Sequence, residues 1–75
     1  MKKKYPVKRL IYEDSMINNG QSATPIKPAI IEICGFVIEE GKNHITFAME
    51  IVTDNDGMQD FRGQVSVPKS CIIKQ

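Results

Sequence analysis

One histidine, two cysteines and nine carboxylate side chains are the groups of this 75-residue chain that could do bond-making chemistry or hold a metal. A closed zinc site needs four ligands and usually a close-spaced pair. His44 is the sole histidine, and Cys34 and Cys71 stand far apart, so no such pair exists. Asp54, Asp56 and Asp60 surround Gly57 and suggest calcium. The spacing fails, because an EF-hand needs glycine at loop position six and an acid at twelve. Counted from Asp54, Gly57 falls at position four and Val65 at twelve. A hairpin turn is the expected use of that segment. Nucleophilic catalysis needs a nucleophile beside an oriented base. Cys71 with His44 is the thiol pair to consider, supported by composition alone, and a cysteine among isoleucines more often packs as a small core residue. Ser15 beside Asp14 suits a turn or helix cap. No glycine-rich phosphate loop follows a strand and opens a helix. These residue types point to a binding protein rather than an enzyme, with no metal and no cofactor.

Groups suited to binding are more plentiful. Residues 13–28 form a long polar loop between two strand-like segments, and loops of that length in small domains are usually functional or disordered. The loop carries Asp14, Ser15, Asn18, Asn19, Gln21, Ser22 and Thr24. Asp14, Ser15, Asn18 and Asn19 are therefore candidate ligand contacts, with Tyr12 at the end of the strand-like segment that enters the loop. Lys69 and Ser70 precede the last strand-like segment, where a lysine could meet an anion; Arg62 and His44, on outward rows, could join it. Lys2, Lys3, Lys4, Lys8 and Arg9 are half of the ten basic residues. Residues 1–6 thus read as a basic, partly flexible arm, either simply solvated or in contact with phosphate. The net charge of +1 argues against a dedicated nucleic-acid binder.

Period-two alternation identifies the elements that must position these groups. Over 44–52, Ile45, Phe47, Met49 and Ile51 fall on one face and His44, Thr46 and Glu50 on the other. Over 61–67, Phe61, Val65 and Val67 face in, with Gly63 on the same row, where a missing side chain permits a sharp bend or the close approach of a strand. Residues 29–39 are a β-branched strand with Gly35 marking a bulge or kink. Shorter strands are expected over 7–12 and 71–74. Polar glycine-containing turns at 39–43 and 54–57 favour antiparallel pairing. Pro68 ends its strand, and a corner or single helical turn follows.

Together these make one domain, 1–75, of all-β class. The order of strand, long loop, three-strand meander, tight corner and last strand is similar to an SH3-like or Sm-like small antiparallel β-barrel of about five strands. A barrel this small buries one face of each strand, yet the 29–39 strand is apolar on both. Ile30, Phe36 and Ile38 lie on its second face, where full exposure would forgo roughly 1.5–3 kcal/mol for each large side chain. Covering by Met16, Ile17 and Ile26 of the long loop, or by a second subunit, is expected, and a homo-oligomer follows from the latter.

Three short stretches also resemble a family of small bacteriophage- and prophage-encoded proteins. They are Tyr12-Glu13-Asp14-Ser15 with Gly20, Gly35-Phe36-Val37-Ile38-Glu39-Glu40, and Val67-Pro68-Lys69 with Ile72. Family members tend to carry tryptophan at the positions of Tyr12 and Gln21, and this chain has none. The resemblance implies a mobile-element origin and no particular activity. With no secretory signal and no apolar run approaching ~20 residues, a reducing bacterial cytoplasm is the expected setting. The leading functional expectation is a phage accessory protein that counters bacterial defence by sequestering a nucleotide-like signal molecule. The alternatives are a nucleic-acid-binding small barrel and a module that inhibits a host protein through Phe36 and Ile38.

Overall fold

A computed structural model describes residues 3–14 and 23–75. Ser15, Met16, Ile17, Asn18 and Asn19 lie outside them. Among the described residues seven strands follow in chain order: β1 (Val7–Asp14), β2 (Ala29–Glu40), β3 (His44–Ala48), β4 (Glu50–Thr53), β5 (Gln59–Arg62), β6 (Val65–Pro68) and β7 (Ile72–Lys74), with a 3₁₀ turn at Lys69–Cys71 before the last. No α-helix occurs among the described residues. Five strands form one antiparallel sheet in the order β6-β3-β2-β1-β7, and β4 and β5 form a second, two-stranded sheet.

Alternation builds the core. Leu10 stands opposite Ile33 and Tyr12 opposite Ile31. Val37 stands opposite Phe47, and Phe47 and Ile45 stand opposite Val65 and Val67. Residues directly opposite share a face of the sheet. Leu10, Tyr12, Ile33, Val37, Ile45, Phe47 and Val67 therefore bury together, with Ile31, Val65 and Ile72 against them.

The sheet does not close into the expected barrel. β6 and β7 are its two edges, and the three-residue β7 pairs only with β1, at Ile11 and Tyr12. The physical reason lies in the middle of the chain. The expected strands 44–52 and 61–67 each break, the first at Met49 and the second at Gly63 and Gln64. Their outer halves leave the main sheet as the β4–β5 hairpin, so they add nothing to its curl. Gly63 has φ +64°, and a Cβ there would stand 3.0 Å from Met49 Cγ. The Met49 side chain fills the space that glycine leaves, and Met49 N–H donates to the Arg62 carbonyl at 3.0 Å. The expected bend at Gly63 is present.

Gly35 is not the site of a bulge. The register shifts between Val37 and Glu39, leaving Ile38 as the extra residue. At Gly35 a Cβ would lie 3.0 Å from the Ala48 carbonyl oxygen, so glycine there allows two backbones to approach. Both expected turns form. Gly41 N–H donates to the His44 carbonyl at 2.9 Å. At the β4–β5 tip, Asp54 Oδ1 accepts the N–H groups of Asp56 and Met58, each at 2.9 Å, an Asx-type turn. The cysteines do not pack as core residues: Cys34 is exposed and Cys71 half-buried.

On the second face of β2, Ile30 is 62% exposed, while Phe36 and Ile38 are half-buried. The described part of the long loop leaves Ile26 exposed. The N-terminal arm runs beside this part of β2, and its Tyr5 lines one groove with Phe36. The arm continues the line of β1, with the Pro6 carbonyl accepting Val37 N–H at 2.8 Å.

Candidate functional site

Residues 3–6 are held in place. Tyr5 packs edge-to-face on Phe61, with ring centroids 5.4 Å apart. Gln59 Nε2 donates to the Lys3 carbonyl at 3.1 Å, and the Lys3 ammonium sits 5.1 Å from the Tyr5 ring centroid. The hairpin register explains why Phe61 is available. Ile51 stands opposite Phe61 and Thr53 opposite Gln59, while Glu50 pairs with Arg62 and Val52 with Asp60. Successive strand side chains point to opposite faces. The face with Ile51, Thr53, Gln59 and Phe61 therefore meets the arm, and the face with Glu50, Asp60 and Arg62 looks away.

Between arm and hairpin runs a groove of about 330 Å³, lined by Lys3, Lys4, Tyr5, Phe36, Ile51, Thr53 and Gln59. No carboxylate is among these lining residues. Its floor is apolar and aromatic and its rim carries two ammonium groups, an arrangement suited to an anionic ligand with flat or apolar parts.

The residues singled out from the sequence are distributed elsewhere. Tyr12 is a core residue, 8% exposed. Asp14 is exposed at the end of β1, opposite Ala29. Ser15, Asn18 and Asn19 fall outside the described residues. Ser70 lies in the 3₁₀ turn and lines a shallow cavity of about 430 Å³ with Glu13, Pro28, Cys71, Ile72 and Ile73. His44 and Lys69 do come together at the β2–β3 turn, where Lys69 N–H donates to the Asn43 carbonyl at 2.8 Å. Each meets a carboxylate there. His44 Nε2 is 2.6 Å from Glu39 Oε1, and Lys69 Nζ donates to Glu40 Oε2 at 3.0 Å. Arg62 is not with them: the whole of β6 separates it from Lys69. Among the described residues, no group of three or more histidine, cysteine or acidic side chains could hold a metal ion.

Sequence reasoning missed most of the groove. Alternation puts Phe61 on the inward row of one long strand, and the break at Gly63 moves it into the hairpin. Phe36 lies on the second face of β2, where a subunit interface is the expectation, and Tyr5 is the single aromatic within the basic run of residues 1–9. The one signal was the glycine on an apolar row.

Glu40 illustrates the electrostatics of the opposite end. The hydrogen bond and charge of Lys69, and the charge of Lys8 farther off, hold its carboxyl below the ordinary value. A carboxylate with a lowered folded-state pKa adds stability above its unfolded pKa and loses it as pH falls through the folded one. Titration of the Glu40 side-chain carbon by NMR should show the lowered value, and Lys69→Met should raise it toward the ordinary range. An unchanged Glu40 titration in Lys69→Met would mean that Lys69 is not the cause.

No family model matches the chain, and no curated protein or solved structure matches it either.

Proposed function

We propose that this protein is a non-enzymatic binding module, a phage-derived accessory protein of the SH3-like or Sm-like small-barrel type, that takes an extended anionic ligand along the arm–hairpin groove. The observation that carries this reading is the lining itself: Lys3 and Lys4 over an apolar floor with no carboxylate. The small-barrel type is supported by the layout of first strand, long connection, meander, 3₁₀ corner and last strand beside the first. Phage origin is supported by the three resembling stretches. Sequestering a nucleotide-like signal molecule with Arg62 and Lys69 together has less support. β6 separates those two residues, and the Lys69 ammonium is engaged by Glu40.

The test is calorimetric titration with inorganic polyphosphate, chosen because it carries charge and nothing else. Binding to a set of phosphates weakens steeply with salt, by a slope that scales with the number of charges neutralised. The double variant Lys3→Gln/Lys4→Gln should lower that slope by about two and weaken binding at least about tenfold at low salt. Unchanged binding in this variant would overturn the assignment of the groove.

A further inference from the structure

We infer that the ligand of the groove is single-stranded nucleic acid, with a base stacked on Tyr5 in the place the Lys3 ammonium now occupies. This rests on the reading of the groove as an anion site and goes one step beyond it.

Charge alone leaves half of the groove lining without a partner. Polyphosphate would satisfy Lys3 and Lys4, but it would cover Tyr5, Phe36 and Ile51 with nothing suited to them. The chain has five aromatic residues. Three of them, Tyr5, Phe36 and Phe61, belong to the groove or to the ring pair that builds it. A ligand that alternates negative charge with flat rings uses both halves of the lining. Nucleic acid single strands do this, and base–aromatic stacking is tolerant of sequence because every base has a π-face.

The geometry of Tyr5 fits this role. Its ring is fixed by the perpendicular contact with Phe61 and by the short arm that Gln59 ties down. A ring so held has little freedom left to lose on binding, and that lowers the entropic cost of stacking. The ammonium of Lys3 lies over the same ring. When a phosphate draws that ammonium away, the ring face opens to the base that follows it. Thr53 and Gln59 on the groove wall supply a hydroxyl and an amide for the base edge. A duplex cannot use this arrangement, because its bases are stacked inside and only an unpaired strand can splay one out. The footprint is short. The hairpin tip beyond the groove carries Asp54 and Asp56, which repel a continuing phosphate chain.

The experiment compares three probes on the intact protein: a short oligothymidine, polyphosphate of similar charge, and a DNA duplex. The chain has two tyrosines and no tryptophan, and Tyr12 is buried, so quenching of tyrosine emission reports Tyr5. Oligothymidine should bind at least about tenfold tighter than polyphosphate and quench that emission. Tyr5→Leu should remove the margin while keeping polyphosphate binding, and a cooperative urea transition followed by circular dichroism shows that the variant is folded. Tyr5→Phe should keep the margin. Equal affinity for oligothymidine and polyphosphate would overturn stacking and leave the anion site standing. Binding of neither would remove both readings. A duplex bound as tightly as the single strand would overturn the preference for unpaired bases.

Discussion

A Phe47→Ala variant is expected to be largely unfolded in water. Phe47 is fully buried, among the largest side chains that are. It sits in β3 between Val37 of β2 and Val65 of β6, so its ring is shared by three strands. Removing a buried phenylalanine costs about 3–5 kcal/mol, the transfer of the ring plus the cavity left behind. A domain of this length has a net stability on the order of 4–11 kcal/mol, and a short chain buries a smaller share of its surface than a long one. The loss is therefore comparable to the whole. Urea unfolding followed by circular dichroism checks this. Phe47→Leu, which keeps most of the volume, should retain a cooperative transition at a lower midpoint. A Phe47→Ala protein within about 1 kcal/mol of the parent would show that the ring is not part of a close-packed core.

The second large effect is expected at Gly63. Its φ of +64° is a region that L-residues avoid, and a Cβ would meet Met49 Cγ at 3.0 Å and Met49 Cβ at 3.1 Å. The left-handed backbone alone costs a side-chain-bearing residue about 1–2 kcal/mol. The contact adds to it, because Met49 is held by its own backbone hydrogen bond to Arg62. Gly57 provides the control. It has φ +83° and nothing within 4 Å of the Cβ position, so Gly57→Ala carries the backbone cost without the contact. Gly63→Ala should lose about 2–3 kcal/mol and Gly57→Ala about 1 kcal/mol. For a domain of this size 1 kcal/mol corresponds to about 4–8 °C in Tm, so thermal unfolding separates the two. Adding Met49→Ala to Gly63→Ala should recover the steric part, as a double-mutant cycle would show. Equal losses at the two glycines would mean that Met49 yields freely. Gly63 also sets where the hairpin stands against the arm, so its variant should bind oligothymidine more weakly than Gly57→Ala does.

Much of the main sheet was legible in the sequence. Ile45, Phe47 and Val67 alternate with polar neighbours, and Ile33 and Val37 share a row on β2. Those patterns give face and strand directly, since a one-residue slip would expose the whole row. The turns at Gly41 and Gly57 and the corner after Pro68 were readable for the same local reason. The division into two sheets was not. Alternation runs unbroken from Ile45 through Ile51, and the period of a strand says which side chains share a face, not which sheet owns them. Only Gly63 hinted at the break. The groove was harder still, because Tyr5 and Phe61 are far apart in the chain and meet only once the hairpin has turned toward the arm. Lys69 shows the reverse error. Its position at a corner suggested a free cation, but Glu40, brought there by the β2–β3 turn, already neutralises it.

The two outer strands of the five-stranded sheet, which pair on one side only among the described residues, bear on how the protein behaves when concentrated. An unpaired rim is a template on which another chain can add, and fibre growth begins from segments that are long, flat and uncharged. Here the rims are β6, four residues that end in Pro68, and β7, three residues that end in Lys74. Neither offers a stretch long enough to seed a stack, and each finishes in a residue that interrupts one. The same break that sends β4 and β5 into their own hairpin leaves β6 too short to let the sheet grow outward into its neighbours.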